Sequence, residues 1–253
     1  MTDLPKGYRI HRGHVILERP SATVRLLAFH HAAGSAMSYL RVARDLPSGC
    51  EPVLVELPGR GGRADERRPQ SFAAALAQVL DEIAVLVDRP TILVGTSLGA
   101  LFAHNVAASL RGPFLRAVLA CACPAPGRMT AARPANRSPS QLLDRLCRDG
   151  QLPPSLAADL DLRDYLVGLL IDDLRLADTY EPPDTGPPAG IGYHYWFGAA
   201  DQGAGAGEAA GWSVAAQRQV AVRQFSGGHF FLQEEQLAIE ALAALITDQI
   251  GHV

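Results

Sequence analysis

The run Thr91-Ile92-Leu93-Val94, followed at once by Gly95-Thr96-Ser97-Leu98-Gly99, constrains this chain more than any other segment. A short β-branched, apolar run reads as a strand, and Ala100 to Ala107, rich in helix formers, reads as the helix after it. The chain must turn sharply between them. Such a turn brings backbone segments together, so the positions two before and two after Ser97 need to lack bulky side chains, and both are glycine. It would present the serine hydroxyl at a helix N-terminus, where backbone N–H groups stabilise negative charge. An ordinary Gly-Ser turn has the same letters, so the reading depends on partners elsewhere in the chain.

The surrounding pattern repeats the unit. Val24 to Phe29, Pro52 to Glu56, Thr91 to Val94 and Arg116 to Cys121 are strand-like, and helical stretches at Ala36 to Leu46 and Phe72 to Val87 lie between them, the second with Ser71 as a cap. Strand-helix alternation of this kind predicts an α/β fold with a mostly parallel sheet flanked by helices. Tyr8 to Leu17 offers one or two antiparallel edge strands around a turn at Gly13. After Cys121 the alternation stops. A Pro/Arg/Ala-rich stretch leads into helical patterns at Gln141 to Arg148, Leu156 to Leu160 and Leu162 to Tyr180, and two more strands follow, at Gly190 to Gly198 and Arg218 to Phe225. The last helix is expected over Phe231 to Ile250. The simplest account is one domain over residues 1–253 with a helical insertion at 124–185, placed where insertions cover sites at the carboxyl edge of such sheets.

Composition narrows the partners. A formal net charge of -3 gives no electrostatic reason to expect nucleic acid or an anionic membrane, and no leader or spanning segment is visible, so a cytoplasmic protein is expected. The four cysteines are too scattered for a disulfide framework and read as core residues, without a partner set for zinc. No coiled coil or large unpaired apolar segment calls for a partner chain, so a monomer is expected.

A serine hydroxyl needs a base, and the base needs a group to hold its tautomer. His229 follows a strand and the turn Ser226-Gly227-Gly228, and precedes the final helix, which makes it the candidate base. For the acid, the strand ending at Cys121 is followed by no carboxylate, whereas the one ending at Gly198 is followed by Asp201. The order Ser97, Asp201, His229 is that of the α/β-hydrolase fold, although a turn aspartate beside glycines would look the same. Asp172, Asp173 and Asp178 are read as the solvated face of an inserted helix. The oxyanion of an acyl-transfer reaction needs backbone donors: Leu98 N–H is one candidate, and Ala32, in the small-residue loop His30-His31-Ala32-Ala33-Gly34-Ser35, the other. That loop could equally be a helix entry turn, its histidines packed or solvated.

These residues together resemble the type II thioesterases of nonribosomal peptide and polyketide biosynthesis, members of the α/β-hydrolase superfamily. His31 to Ser35 is similar to their oxyanion loop, Leu57-Pro58-Gly59-Arg60-Gly61-Gly62-Arg63 to a second motif, Gly95 to Gly99 to their elbow, and Gly227-Gly228-His229-Phe230-Phe231 to their histidine motif. Leu169 to Tyr180 resembles their lid helix. The chain departs from the pattern at Thr96, where histidine is usual, at Ala33, where glycine is usual, and after Asp201, where a glycine-rich loop replaces a common proline and could leave that carboxylate less firmly held.

The resemblance implies hydrolysis of acyl thioesters from phosphopantetheinylated carrier proteins through an acyl-enzyme on Ser97, with no metal or bound cofactor. An acyl or peptidyl carrier protein would be the partner, and Arg128, Arg133 and Arg137, at the entrance to the insertion, are candidates for its acidic surface; a solvated loop is the alternative. Two other readings keep the same residues: a cyclase or acyltransferase using the same acyl-enzyme, and a catalytically silent scaffold that binds carriers.

Overall fold

The computed structural model describes residues 7–127, 138–148 and 159–251. Among them, eight strands form one sheet: β1 (Tyr8–His11), β2 (His14–Leu17), β3 (Val24–Phe29), β4 (Cys50–Val55), β5 (Thr91–Thr96), β6 (Leu115–Cys121), β7 (Gly192–Gly198) and β8 (Ala221–Phe225), in the order β1-β2-β4-β3-β5-β6-β7-β8. From β4 through β8 all neighbours are parallel, while β2 runs antiparallel to β4 and forms a hairpin with β1. The hairpin turns through Arg12 and Gly13, both at positive φ, as a two-residue turn matched to strand twist requires.

The α-helices among the described residues are α1 (Leu40–Asp45), α2 (Phe72–Ile83), α3 (Leu98–Ser109), α4 (Pro139–Arg148), α5 (Leu160–Asp178), α6 (Ala209–Ala216), α7 (Phe231–Glu234) and α8 (Gln236–Ile250). Ser71 caps α2 as expected, its hydroxyl accepting the Ala74 N–H. The single helix expected over Phe231 to Ile250 is two, because Glu235 takes an extended conformation between them.

Both sheet faces are covered, so the central strands are buried throughout. Strand periodicity sorts β3 between two cores: Leu27 and Phe29 join a cluster with α2, α3, α5 and Trp212, whereas Leu26 and Ala28 join one with Tyr39, α1 and α8. Of the cysteines, Cys50, Cys121 and Cys123 are buried and none is bridged. Between β6 and β7 lie α4 and α5, and α5 buries Val167, Leu170 and Leu174 in the first of these cores. The arginines 128, 133 and 137 singled out for a carrier protein lie outside the described residues, as do residues 156–158 of the helical stretch expected there.

With β3 through β8 parallel, the chain leaves each of them at one edge. Ser97, Asp201, His229 and the His30–Ser35 loop follow β5, β7, β8 and β3 and therefore all lie along that edge.

Candidate active site

Ser97 has φ 56° and ψ -120°, a backbone conformation that costs a non-glycine residue strain and persists only where its surroundings enforce it. The enforcement is visible. Ser97 N–H donates to the Cys121 carbonyl at 2.9 Å, tying the turn to β6. A methyl group on Gly95 would collide with the Gly99 carbonyl, and one on Gly99 with the Phe29 carbonyl, so both glycines are required by close backbone approach. Leu98 opens α3, where its N–H has no intrahelical acceptor. The Thr96 hydroxyl, fully buried, lies 2.7 Å from the Tyr39 hydroxyl and accepts from Gln233 Nε2 at 3.0 Å, so it braces the base of the turn against α7.

Asp201 and His229 meet: His229 Nδ1 donates to Asp201 Oδ2 at 2.9 Å, the side chains being 14% and 4% exposed for the histidine and aspartate. The loops that carry them are laced together, with Ala199 N–H donating to the Phe225 carbonyl and Ala200 N–H to that of Gly227, each at 2.8 Å. In the glycine-rich loop, Asp201 Oδ1 accepts the Gly203 N–H at 2.8 Å in a local turn. Nδ1 carries a proton toward the carboxylate, which leaves Nε2 as the basic nitrogen.

The loop from His30 to Ala36 is held at nearly every peptide. His30 Nδ1 and the Gly34 N–H both donate to the His31 carbonyl, at 2.8 and 3.0 Å, and His31 Nδ1 donates to the Ala32 carbonyl at 3.0 Å. Ala33, at φ 60°, donates its N–H to Asp173 Oδ2 at 2.8 Å, and the Ala36 N–H reaches Glu56 Oε1 at 3.1 Å. Burial first, then the Arg60 charge, pushes the His30 pKa down to about 3, and burial takes that of His31 to about 4; both rings are neutral donors at physiological pH. The histidines of this loop are thus buried pegs for its carbonyls, and the solvated alternative does not hold.

The helix-face reading of Asp173 is corrected in the same place. Its side chain is 0% exposed and forms a two-pronged pair with Arg60, both contacts at 2.6 Å, while Arg60 also donates to the Gly34 carbonyl at 3.2 Å. Burial opposes ionisation of Asp173, but the Arg60 charge and hydrogen bonds, with that of Ala33, outweigh it and hold its carboxyl below the ordinary range. Its neighbour Asp172 keeps the expected role, one-third exposed and paired with Arg68 and Arg175. The second motif has a parallel anchor in Arg63, which is buried against Glu82 at 2.6 Å and also pairs with Glu66. Asp173 escaped sequence reasoning because its ion pair joins residues 113 positions apart; the arginines of the second motif and the resemblance of Leu169 to Tyr180 to a lid helix were the available signals.

The turn and the His30–Ala36 loop are adjacent, since α3 presses on Phe29 and His30 at Gly99. His31 packs on Phe230 with the rings tilted and their centroids 4.4 Å apart, and Phe230 meets His229 edge-on at 5.0 Å. A cleft of about 270 Å³ opens between the loop that holds His31, Gly34 and Ser35 and the segment that holds Phe230 and Gln233.

A strained serine between strand and helix, with a paired aspartate and histidine delivered from later strands of a mostly parallel sheet, defines an α/β-hydrolase. The pattern of the thioesterase domain matches residues 24–250, and the chain belongs to that family. It is 29% identical over 219 residues, 85% of its length, to a probable cadicidin biosynthesis thioesterase of Streptomyces griseus, of whose length it spans 60%; it spans 10% and 16% of two larger synthetic enzymes it also matches. Its fold superposes on the RedJ thioesterase of the prodiginine pathway in Streptomyces coelicolor with a TM-score of 0.80 at 26% identity, covering 90% of this chain and 91% of that one. The type II thioesterase BorB of the borrelidin cluster gives 0.76 at 29% identity, covering 90% and 93%. Among the described residues no helix is long and apolar enough to cross a membrane.

Proposed function

We propose that the chain is a serine thioesterase that hydrolyses acyl groups from the phosphopantetheine arm of a carrier protein, in the manner of the type II enzymes of peptide and polyketide assembly. The observation that carries this reading is the 2.9 Å contact of His229 Nδ1 with Asp201, on the same sheet edge as the strained Ser97. Asp201 fixes the tautomer in which His229 Nε2 accepts the Ser97 proton. Ser97 Oγ attacks the thioester carbonyl, and the resulting oxyanion is received by the Leu98 and Ala32 N–H groups. Collapse of the intermediate expels the pantetheine thiolate, which takes a proton from His229, and leaves an acyl-serine. A water deprotonated by His229 then releases the acid and regenerates Ser97. Nucleophile, base and oxyanion donors all come from the chain, so the reading needs no metal or bound cofactor. Helices α4 and α5 serve as the lid, the carrier protein is the partner, and the setting is cytoplasmic.

The test is intact-mass analysis of the protein with a fluorophosphonate probe, alongside hydrolysis of short-chain and long-chain acyl carriers. Ser97 is expected to be the labelled residue, and Ser97→Ala is expected to lose roughly 10³-fold or more in kcat. Hydrolysis undiminished in that variant, or labelling elsewhere, refutes the assignment; a cyclic or transferred product would favour the other acyl-enzyme chemistry.

A further inference from the structure

The buried pair of Arg60 and Asp173 does more than pack a helix. Asp173 Oδ2 takes two donors, Arg60 Nη1 at 2.6 Å and the Ala33 N–H at 2.8 Å, so the carboxylate that docks α5 also holds one peptide of the oxyanion loop. The other end of that peptide, the Ala32 carbonyl, is held by His31 Nδ1. The preceding peptide has its carbonyl, that of His31, held by two donors. In a trans peptide the N–H points opposite the carbonyl, so fixing the His31 carbonyl aims the Ala32 N–H. Ala33 closes this arrangement in a left-handed conformation that strains a residue with a side chain, so the loop needs an outside hold to stay there.

We propose that Asp173, oriented by Arg60, is a positioning residue for the oxyanion hole, and that it makes the aim of the Ala32 N–H depend on α5 being docked. The inference rests on the reading of Ser97 and Ala32 given above. Undocking α5 would withdraw Asp173 from Ala33, free the loop to leave its strained conformation, and remove a donor needed only as negative charge develops on the substrate oxygen. A docked helix and a competent oxyanion hole are then one state, and an acyl-enzyme formed under a closed lid is hydrolysed faster than one formed under an open lid. Asp172, one residue earlier, has its side-chain pairs with Arg68 and Arg175 and not with the peptides of the loop, which makes it an internal control.

The experiment compares Asp173→Asn, Asp172→Asn and the double variant Asp173→Asn/Ala33→Gly in the full chain, with folding checked by thermal melting. Each is assayed for kcat and KM on an acyl-pantetheine thioester and for inhibition by an alkyl trifluoromethyl ketone, which forms a tetrahedral oxyanion on the serine. Asp173→Asn is expected to lower kcat roughly tenfold and weaken the ketone by about the same factor, with KM within about twofold. Asp172→Asn should leave both unchanged. Ala33→Gly should restore much of the loss, because glycine holds the left-handed conformation without an external partner. Full activity in a folded Asp173→Asn, an equal loss in Asp172→Asn, or no recovery with Ala33→Gly overturns the proposal. Where Asp173→Asn does not fold, Arg60→Lys, which keeps the charge and loses the fork, is read by the same kcat, ketone and Ala33→Gly criteria. A wild-type protein unlabelled at Ser97 and inactive on the thioester would instead sink the functional reading itself.

Discussion

The two halves of the candidate site are held by different means. On one side, Asp201 and His229 sit on short loops that leave adjacent strands and are secured by near neighbours: Gly203 for the carboxylate, and backbone bonds between residues 199–200 and 225–227. On the other, the His30–Ala36 loop depends on buried polar groups from distant parts of the chain, with Glu56 at its exit, Arg60 on its Gly34 carbonyl and Asp173 on its Ala33 N–H. A local turn can be altered with loss of little but its own geometry. A buried charge cannot, because removing one member strands the other away from water.

That contrast is open to test, and its largest expected effect lies on the first side. Asp201→Asn should lower kcat by roughly 10³–10⁴ through loss of the correct His229 tautomer, while the unfolding midpoint barely moves. A loss of stability comparable to the loss of activity would mean that this side, too, is structurally committed. The next effect separates the adjacent carboxylates of α5. Asp173→Ala should cost about 3–5 kcal/mol in urea unfolding by leaving the Arg60 charge buried and unpaired. Asp172→Ala, which removes partly exposed pairs, should cost less than about 1 kcal/mol. Equal costs would erase the distinction between a clamp and a surface contact.

The smallest effect is the pH dependence of stability. Unfolded imidazoles titrate near 6.5, whereas folded His30 and His31 titrate at about 3 and about 4, so the folded state binds fewer protons across that interval. Their contribution is complete above pH 6.5 and is lost as the pH falls through 4 and then 3. Burial raises Glu56 from 4.5 to about 7, which has the opposite sign: the folded state holds that proton more tightly, and its contribution declines as the pH rises from 4.5 to 7. Urea titrations between pH 7 and 4 should show stability falling toward acid less steeply in His31→Asn, whose amide can still donate to the Ala32 carbonyl without titrating. An unchanged slope in that variant would remove the buried histidines from the account. Glu56→Gln should steepen the same acid loss by removing the opposing contribution.

Much of the frame was legible in the chain. Short β-branched runs separated by helical stretches gave the parallel sheet, and the glycines at positions 95 and 99 marked the turn at Ser97, since close backbone approach excludes any side chain there. The order of Ser97, Asp201 and His229 along strand ends sufficed to place the last two in contact. The break at Glu235 was not legible, because the apolar pattern runs through it. Asp173 was misread for a related reason: three carboxylates on one helix look alike in sequence, and only packing distinguishes the one that faces inward.

The sequence by itself determined the strand-helix succession, the strained turn and the order of the reactive groups, because those follow from periodicity and from what neighbouring residues allow one another sterically. Tertiary structure alone decided which charges are buried and paired. That choice joins Arg60 to Asp173 and both to the loop at Ala33, across separations that no local pattern spans. Burial is a property of the whole packing, and a carboxylate's role changes with it from solvation to structural hold.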